Sequence, residues 1–172
     1  VSDNVLISIR PEWCAMIANG DKTVEVRKTR PKQEPPFRCF IYCTNSGRPL
    51  VYGDVAAPGG WAEMYTQTYG YNRKEAERIW GVMNGKVIGE FDCLKIESMY
   101  ENILSGRGND EIKQKSCLSG KALNEYSQGR EVFGWYISGL QMYDGLKELA
   151  DFGLKHPPQS WCYVKEAGHG EV

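Results

Sequence analysis

The chain has 172 residues, of which 41% are hydrophobic and 25% charged, which suits one globular domain with a substantial buried core. Its formal net charge is −1 and its pI about 6.2, so it is not a protein held to nucleic-acid phosphate by total charge, and any such binding must be local. No run approaches the roughly 18 apolar residues of a membrane helix, and the N-terminal residues lack a basic-then-apolar secretion pattern. A cytoplasmic protein with no membrane partner is expected.

Six cysteines (Cys14, Cys39, Cys43, Cys93, Cys117 and Cys162) form no C-x-x-C pair and lie in or beside apolar stretches, so reduced thiols are expected. With only two histidines, one of them His169 in a Gly-rich tail, a closed zinc site lacks ligands. Neither a metal nor a cofactor is expected.

In chain order, "VLISI" (Val5 to Ile9) reads as a half-buried strand, with Val5, Ile7 and Ile9 on one face and Leu6, Ser8 and Arg10 on the other. Pro11 then opens a short helix, "PEWCAMIAN", with Trp13, Met16 and Ile17 at helical spacing and Gly20 as its stop. "TVEVR" (Thr23 to Arg27) is a second strand that separates Val24 and Val26 from Thr23, Glu25 and Arg27. It belongs to "NGDKTVEVRKTRP", which gathers Lys22, Arg27, Lys28 and Arg30 around Glu25. "KTRPKQEPP", with three prolines in nine residues, is a linker. "FRCFIYCT" is a third strand with residues 39, 41 and 43 on one face.

Residues 45–60 read as loop. "NRKEAERIWGVMNG" reads as a helix capped by Asn72, with Ala76, Ile79, Trp80 and Met83 as its apolar stripe and Gly85 as its end. "KVIGEFDCLKIESMY" is a long strand in which Gly89 marks a bulge or bend. A polar connector leads to a short helix near Lys121 to Ser127. "VFGWYISGLQMY" is then a strand pair or one bent strand, and "SWCYVKE" closes the fold. Short strands with a few short helices define an α+β domain on a mixed, strongly curved sheet.

The stretch "LISIRPEWCAMIANGDKTVEVRKTRP" resembles the opening of an ASCH domain, a member of the PUA-like β-barrel superfamily. Gly20, Lys22, Glu25 and Arg27 fill its G-x-K-x-x-E-x-R motif in order. "GKVIGEFDCLKI" is similar to that family's long central strand, and "FGWYISGLQMYDGLKELADF" with "HPPQSWCYV" resembles the C-terminal part of bacterial and phage-type members. The resemblance implies a single domain over residues 1–172, with an insertion at about 45–84. It also implies a β-barrel whose first strand-helix-strand unit lines a cleft holding Lys22, Glu25 and Arg27.

PUA-like folds commonly bind RNA or a modified base, so the resemblance implies an RNA- or nucleotide-binding module whose partner is single-stranded RNA, a nucleotide or a nucleoside. Some small ASCH proteins are amidohydrolases acting on acetylated cytidine through a lysine at the position of Lys22, with a threonine and a glutamate. The alternative reading is therefore a hydrolase of a modified nucleoside with Lys22 catalytic. Glu25 stands where those enzymes carry a second threonine, so their catalytic set is not reproduced. A third reading makes the aromatic segment from Gly59 to Tyr71 a protein-contact surface.

Set against a solvent-facing strand with weak exposed ion pairs, the complete motif favours a ligand site made of Ser8, Arg10, Lys22, Thr23, Glu25, Arg27 and Lys28. Glu25 would orient Arg27 or Lys22. Lys28, Arg30 and Lys32 would form a solvated basic edge able to meet phosphate. Trp13 and Trp80 read as core. Trp135 and Trp161, at strand starts, are the candidates for edging the cleft and stacking on a base.

Overall fold

The computed structural model describes residues 3–51, 55, 74, 78, 81–100 and 110–165. Their strands are β1 (Asn4–Ile9), β2 (Val24–Arg27), β3 (Phe37–Cys43), β4 (Val87–Ser98), β5 (Phe133–Lys147) and β6 (Trp161–Val164). They form one curled mixed sheet in the order β2-β5-β4-β3-β1-β6. Only β1 and β3 run parallel, with Val5 opposite Cys39 and Ile9 opposite Cys43. The remaining neighbours are antiparallel. Helices α1 (Pro11–Ala18), α2 (Asp110–Ser116) and α3 (Gly120–Ser127) pack on this sheet, and a 3-10 turn spans Leu149–Phe152.

Both faces of the central strands are covered. Val5, Ile7, Ile9, Cys39, Ile41 and Cys43 share one apolar cluster with Trp135, Phe91 and α1, as their period-two alternation requires. Leu6, Phe40 and Tyr42 point the other way, into a second cluster with Val87, Phe152 and Val164. β1 is therefore buried on both faces rather than half-buried, because β3 and β6 flank it and the 3-10 turn supplies a lid of apolar side chains to its second face.

In α1 the buried stripe is Cys14, Ile17 and Ala18, at i, i+3 and i+4; Met16 is 37% exposed and Trp13 half-buried, which shifts the inward face by one residue. The helix ends where Gly20 takes φ +80°, a conformation costly for any residue with a Cβ. β2 begins at Val24, one residue later than its alternation suggests, because the Thr23 amide donates to Lys115 O, outside the sheet.

β4 bulges between Val87 and Gly89, and Gly89 lies so close to β5 that a Cβ there would sit 2.6 Å from the backbone oxygen of Gln141. β5 is one bent strand of 15 residues. The connector before α3 contains α2, whose sequence "DEIKQKS" has one apolar residue and hence no helical stripe to read. α3 is capped by Ser119, whose Oγ accepts from the Ala122 amide at 3.1 Å.

The six thiols are free, four of them buried. Lys74 and Arg78 are helical, but the expected helix does not reach Gly85: Val82 makes an isolated bridge to Val51 and Asn84 and Gly85 form a turn, while the other residues of 72–80, including Trp80, and the aromatic segment 59–71 lie outside the described residues. Among the described residues no helix is long and apolar enough to cross a membrane. None of them form a cluster of three or more metal-ligating side chains.

Candidate functional site

A cleft of about 380 Å³ opens beside the strand-helix-strand unit. β1 contributes Ser8, Arg10 follows it, α1 adds Trp13, and Lys22, Glu25 and Arg27 come from the turn and from β2. The opposite wall is Leu118 with Ala122 and Tyr126 of α3, and Thr44, Ser46 and Gln159 complete the lining.

The ionic centre is buried. Lys22 is 2%, Glu25 6% and Arg27 8% exposed, far from the solvated strand face that an isolated Glu and Arg two residues apart would suggest. The two oxygens of Glu25 are divided: Oε2 lies 3.3 Å from Lys22 Nζ and Oε1 2.9 Å from Arg27 Nη2. Lys22 Nζ also donates to Ser116 O at 2.7 Å and sits 4.9 Å from the ring centroid of Trp13. Arg27 Nη2 donates to Ser8 O at 2.6 Å and Nη1 to Ser160 Oγ at 3.4 Å. Ser8 Oγ donates to Pro158 O at 2.6 Å.

Glu25 is thus the shared counter-ion of both motif cations. Lys22 in turn ties together α1, β2 and the end of α2. Two cations on one carboxylate leave the buried centre with a formal charge of +1. Removing such ions from water costs several kcal/mol each, which the paired geometry only partly offsets. The Nε of Arg27 is buried and has no hydrogen-bond partner among the described residues.

Around this centre the charges are accessible. Arg10 is exposed at the cleft. Lys28 is exposed with its ammonium 5.1 Å from the ring centroid of Tyr126, a cation–π contact at the opposite rim. Arg30 is engaged with Glu34 at 2.6 Å. Burial raises the Tyr126 phenol above its ordinary pKa and Glu25 pushes it the same way, against the opposing charge of Arg27, so the hydroxyl is neutral at physiological pH.

Of the residues proposed from sequence, Ser8, Arg10, Lys22, Glu25 and Arg27 meet in the cleft. Lys28 stands at its rim. Thr23 does not line it; its backbone bridges Lys115 and Ile137. Trp135 is fully buried in the core, edge-on to Phe37 and tilted against Trp161. Trp161 is half-buried and donates Nε1 to Thr29 Oγ1 at 3.0 Å, away from the cleft lining. Among the described residues, the aromatic rings that line the cleft are Trp13 and Tyr126. Trp13 packs on the core cluster as its spacing with Ile17 predicts and lines the cleft as well, and Tyr126 carries no local motif that marks it.

The curled mixed sheet with its packed helices has the fold seen in ASCH domain proteins. Solved structures of an ASCH protein from Zymomonas mobilis share it. The chain superposes on that protein with a TM-score of 0.61 and 20% identity, covering 95% of this chain and 89% of that one. A serine-to-alanine variant of the Zymomonas protein gives 0.61 and 20% over 96% and 90%, and a tyrosine-to-phenylalanine variant 0.62 and 19% over 96% and 93%. No protein-family model and no curated protein sequence matches the chain.

Proposed function

We propose that this cleft binds an unpaired nucleotide unit, either free or within single-stranded RNA. The observation that carries the reading is the buried centre in which Lys22 and Arg27 share the one carboxylate of Glu25, at a cleft lined by Trp13 and Tyr126. The excess positive charge favours an anionic ligand, the exposed Arg10 and Lys28 supply phosphate partners, and the two rings, each with a lysine on it, give a base an aromatic wall to pack against. The common use of PUA-like folds for RNA supports the same reading, and the free thiols suit the reducing cytoplasm.

The test is binding of short single-stranded RNAs as a function of salt. With Arg10 and Lys28 as the two phosphate contacts, the slope of log affinity against log salt is expected near −1.4, about −0.7 per contact. Arg10→Ala should halve it. Absence of binding at low salt across varied RNAs and nucleotides would overturn the reading.

A further inference from the structure

We infer that Gln159 is the specificity-determining residue of this cleft, its side-chain amide set against the edge of the base while Arg10 and Lys28 hold phosphate. This rests on the nucleotide reading above and names the contact that tells a nucleotide from a bare phosphate. Most polar groups of the lining are spent inside the protein. Lys22, Glu25 and Arg27 are engaged with one another and with the backbone of Ser116 and Ser8, Ser8 Oγ donates to Pro158 O, and Thr44 Oγ1 and Ser46 Oγ bond each other at 2.6 Å. The Tyr126 hydroxyl faces the backbone N–H of Lys28. Among the described residues of the lining, the polar side chains with no hydrogen bond inside the protein are those of Arg10, Trp13 and Gln159. A guanidinium and an indole only donate, whereas the amide of Gln159 presents an acceptor beside a donor.

Gln159 is exposed, yet its backbone is fixed. Pro157 and Pro158 precede it, and both of its peptide neighbours are tied to Ser8 on β1: Pro158 O receives Ser8 Oγ at 2.6 Å, and Ser160 O receives the Ser8 amide at 2.9 Å. Arg27 Nη1 holds Ser160 Oγ as well, at 3.4 Å. The amide thus stands at the cleft wall on a backbone that needs little ordering when a ligand arrives. A phosphate only accepts, so the exposed guanidinium of Arg10 suits it better than a neutral amide, whose carbonyl repels it. Each of the four bases carries a donor and an acceptor side by side on its edge, and a carboxamide can turn to match any of them. Gln159 therefore requires a base without choosing among the four.

Calorimetric titration of the intact protein with AMP, CMP, GMP, UMP and ribose 5-phosphate tests this. The native protein should bind the four nucleotides with similar affinity and ribose 5-phosphate more weakly. Gln159→Ala should weaken each nucleotide about fivefold, the scale of one hydrogen bond, and leave ribose 5-phosphate unchanged, whereas Arg10→Ala should weaken all five ligands. Gln159→Glu keeps the acceptor and loses the donor. It should favour GMP, whose N1–H and amino group stand side by side, over UMP, whose one ring N–H lies between two carbonyls, by about fivefold. The inference is overturned, and the nucleotide site left standing, if Gln159→Ala costs ribose 5-phosphate as much as the nucleotides, if it costs none of them anything, or if Gln159→Glu binds GMP and UMP equally. No binding by any of the five ligands removes both.

Discussion

Arg27 on β2 donates to the backbone oxygen of Ser8 on β1 at 2.6 Å, although three strands separate β2 from β1 in the sheet. A guanidinium therefore joins parts of the curled sheet that share no ladder, with Glu25 holding it from below and Ser160 from beyond β1. Arg27→Ala removes this link and leaves Glu25 with Lys22 alone. The expected loss is about 3 to 5 kcal/mol, the usual cost of breaking a buried ion pair. Urea unfolding measures it, and a loss below about 1 kcal/mol would show that the guanidinium does not hold the sheet closed.

Lys22 spends its ammonium on Ser116 O, Glu25 and the face of Trp13. A lysine so engaged is poorly placed to act as a base or nucleophile, because its nitrogen is already held by three groups of the protein and is nearly closed off from a substrate. Lys22→Met should cost about 1.5 to 3 kcal/mol, the range for a hydrogen bond to a charged group. Lys22→Arg forces a larger head into a nearly closed space and should also destabilise. Incubation with acetylated cytidine should give no deacetylation. Turnover by the native protein, abolished equally by both substitutions, would instead establish catalysis by Lys22.

At Gly89 the approach of β4 to β5 leaves no room for a methyl group, since the nearest atom to its Cβ position is the backbone oxygen of Gln141. Gly89→Ala must push two paired strands apart and should destabilise by about 1 to 3 kcal/mol, as overpacking does. Thermal unfolding followed by circular dichroism tests this. An unchanged midpoint would mean that the bulge yields freely.

Tyr136 is held neutral chiefly by burial and further by its hydrogen bond to Glu97 at 2.7 Å, which together push the phenol up to about 12. An unfolded tyrosine ionises near about 10. Stability from Tyr136 is therefore complete below about 10 and is lost as the pH climbs through about 12, because the unfolded chain releases the proton first. Denaturation midpoints measured from neutral to strongly alkaline pH should fall over that window, and Tyr136→Phe should flatten the fall. The same slope in both proteins would assign the effect to other groups.

Strand identity was legible wherever period-two alternation met a Gly or Pro boundary, as in β3 between Pro36 and the loop after Cys43. It failed to show that β1 and β2 are covered on both faces, because alternation reports polarity and not what lies above each face. α2 was illegible for a different reason. Beyond the packing of Ile112 on the cluster of Val26 and Met99 and of Lys115 on the Tyr136 ring, its hold on the fold runs through backbone atoms, Lys115 O and Ser116 O, which any sequence would possess.

At the cleft, the motif residues from Gly20 to Arg27 were readable because they are close in sequence. Tyr126 and Gln159 were not, since they arrive from segments about 100 or more residues away and nothing local marks them. Trp135 misled because a tryptophan after glycine at a strand start looks like an edge, whereas Gly134 lets that strand pass close beneath Val24 and Met99 and puts the indole in the core.

The bond from Ser8 to Pro158 spans 150 residues, that from Arg27 to Ser160 spans 133, and that from Lys22 to Ser116 spans 94. Contacts so distant along the chain close late, after local structure has formed. During synthesis, the stretch around Lys22 and Arg27 leaves the ribosome well over a hundred residues ahead of the segment that completes its surroundings. For most of that interval the first strand-helix-strand unit lacks the full set of three strands that stands between β1 and β2, and with it the cavity. A fragment ending before residue 158 would carry the whole motif yet lack Gln159 from the cleft wall and the hold of Pro158 and Ser160 on Ser8 and Arg27.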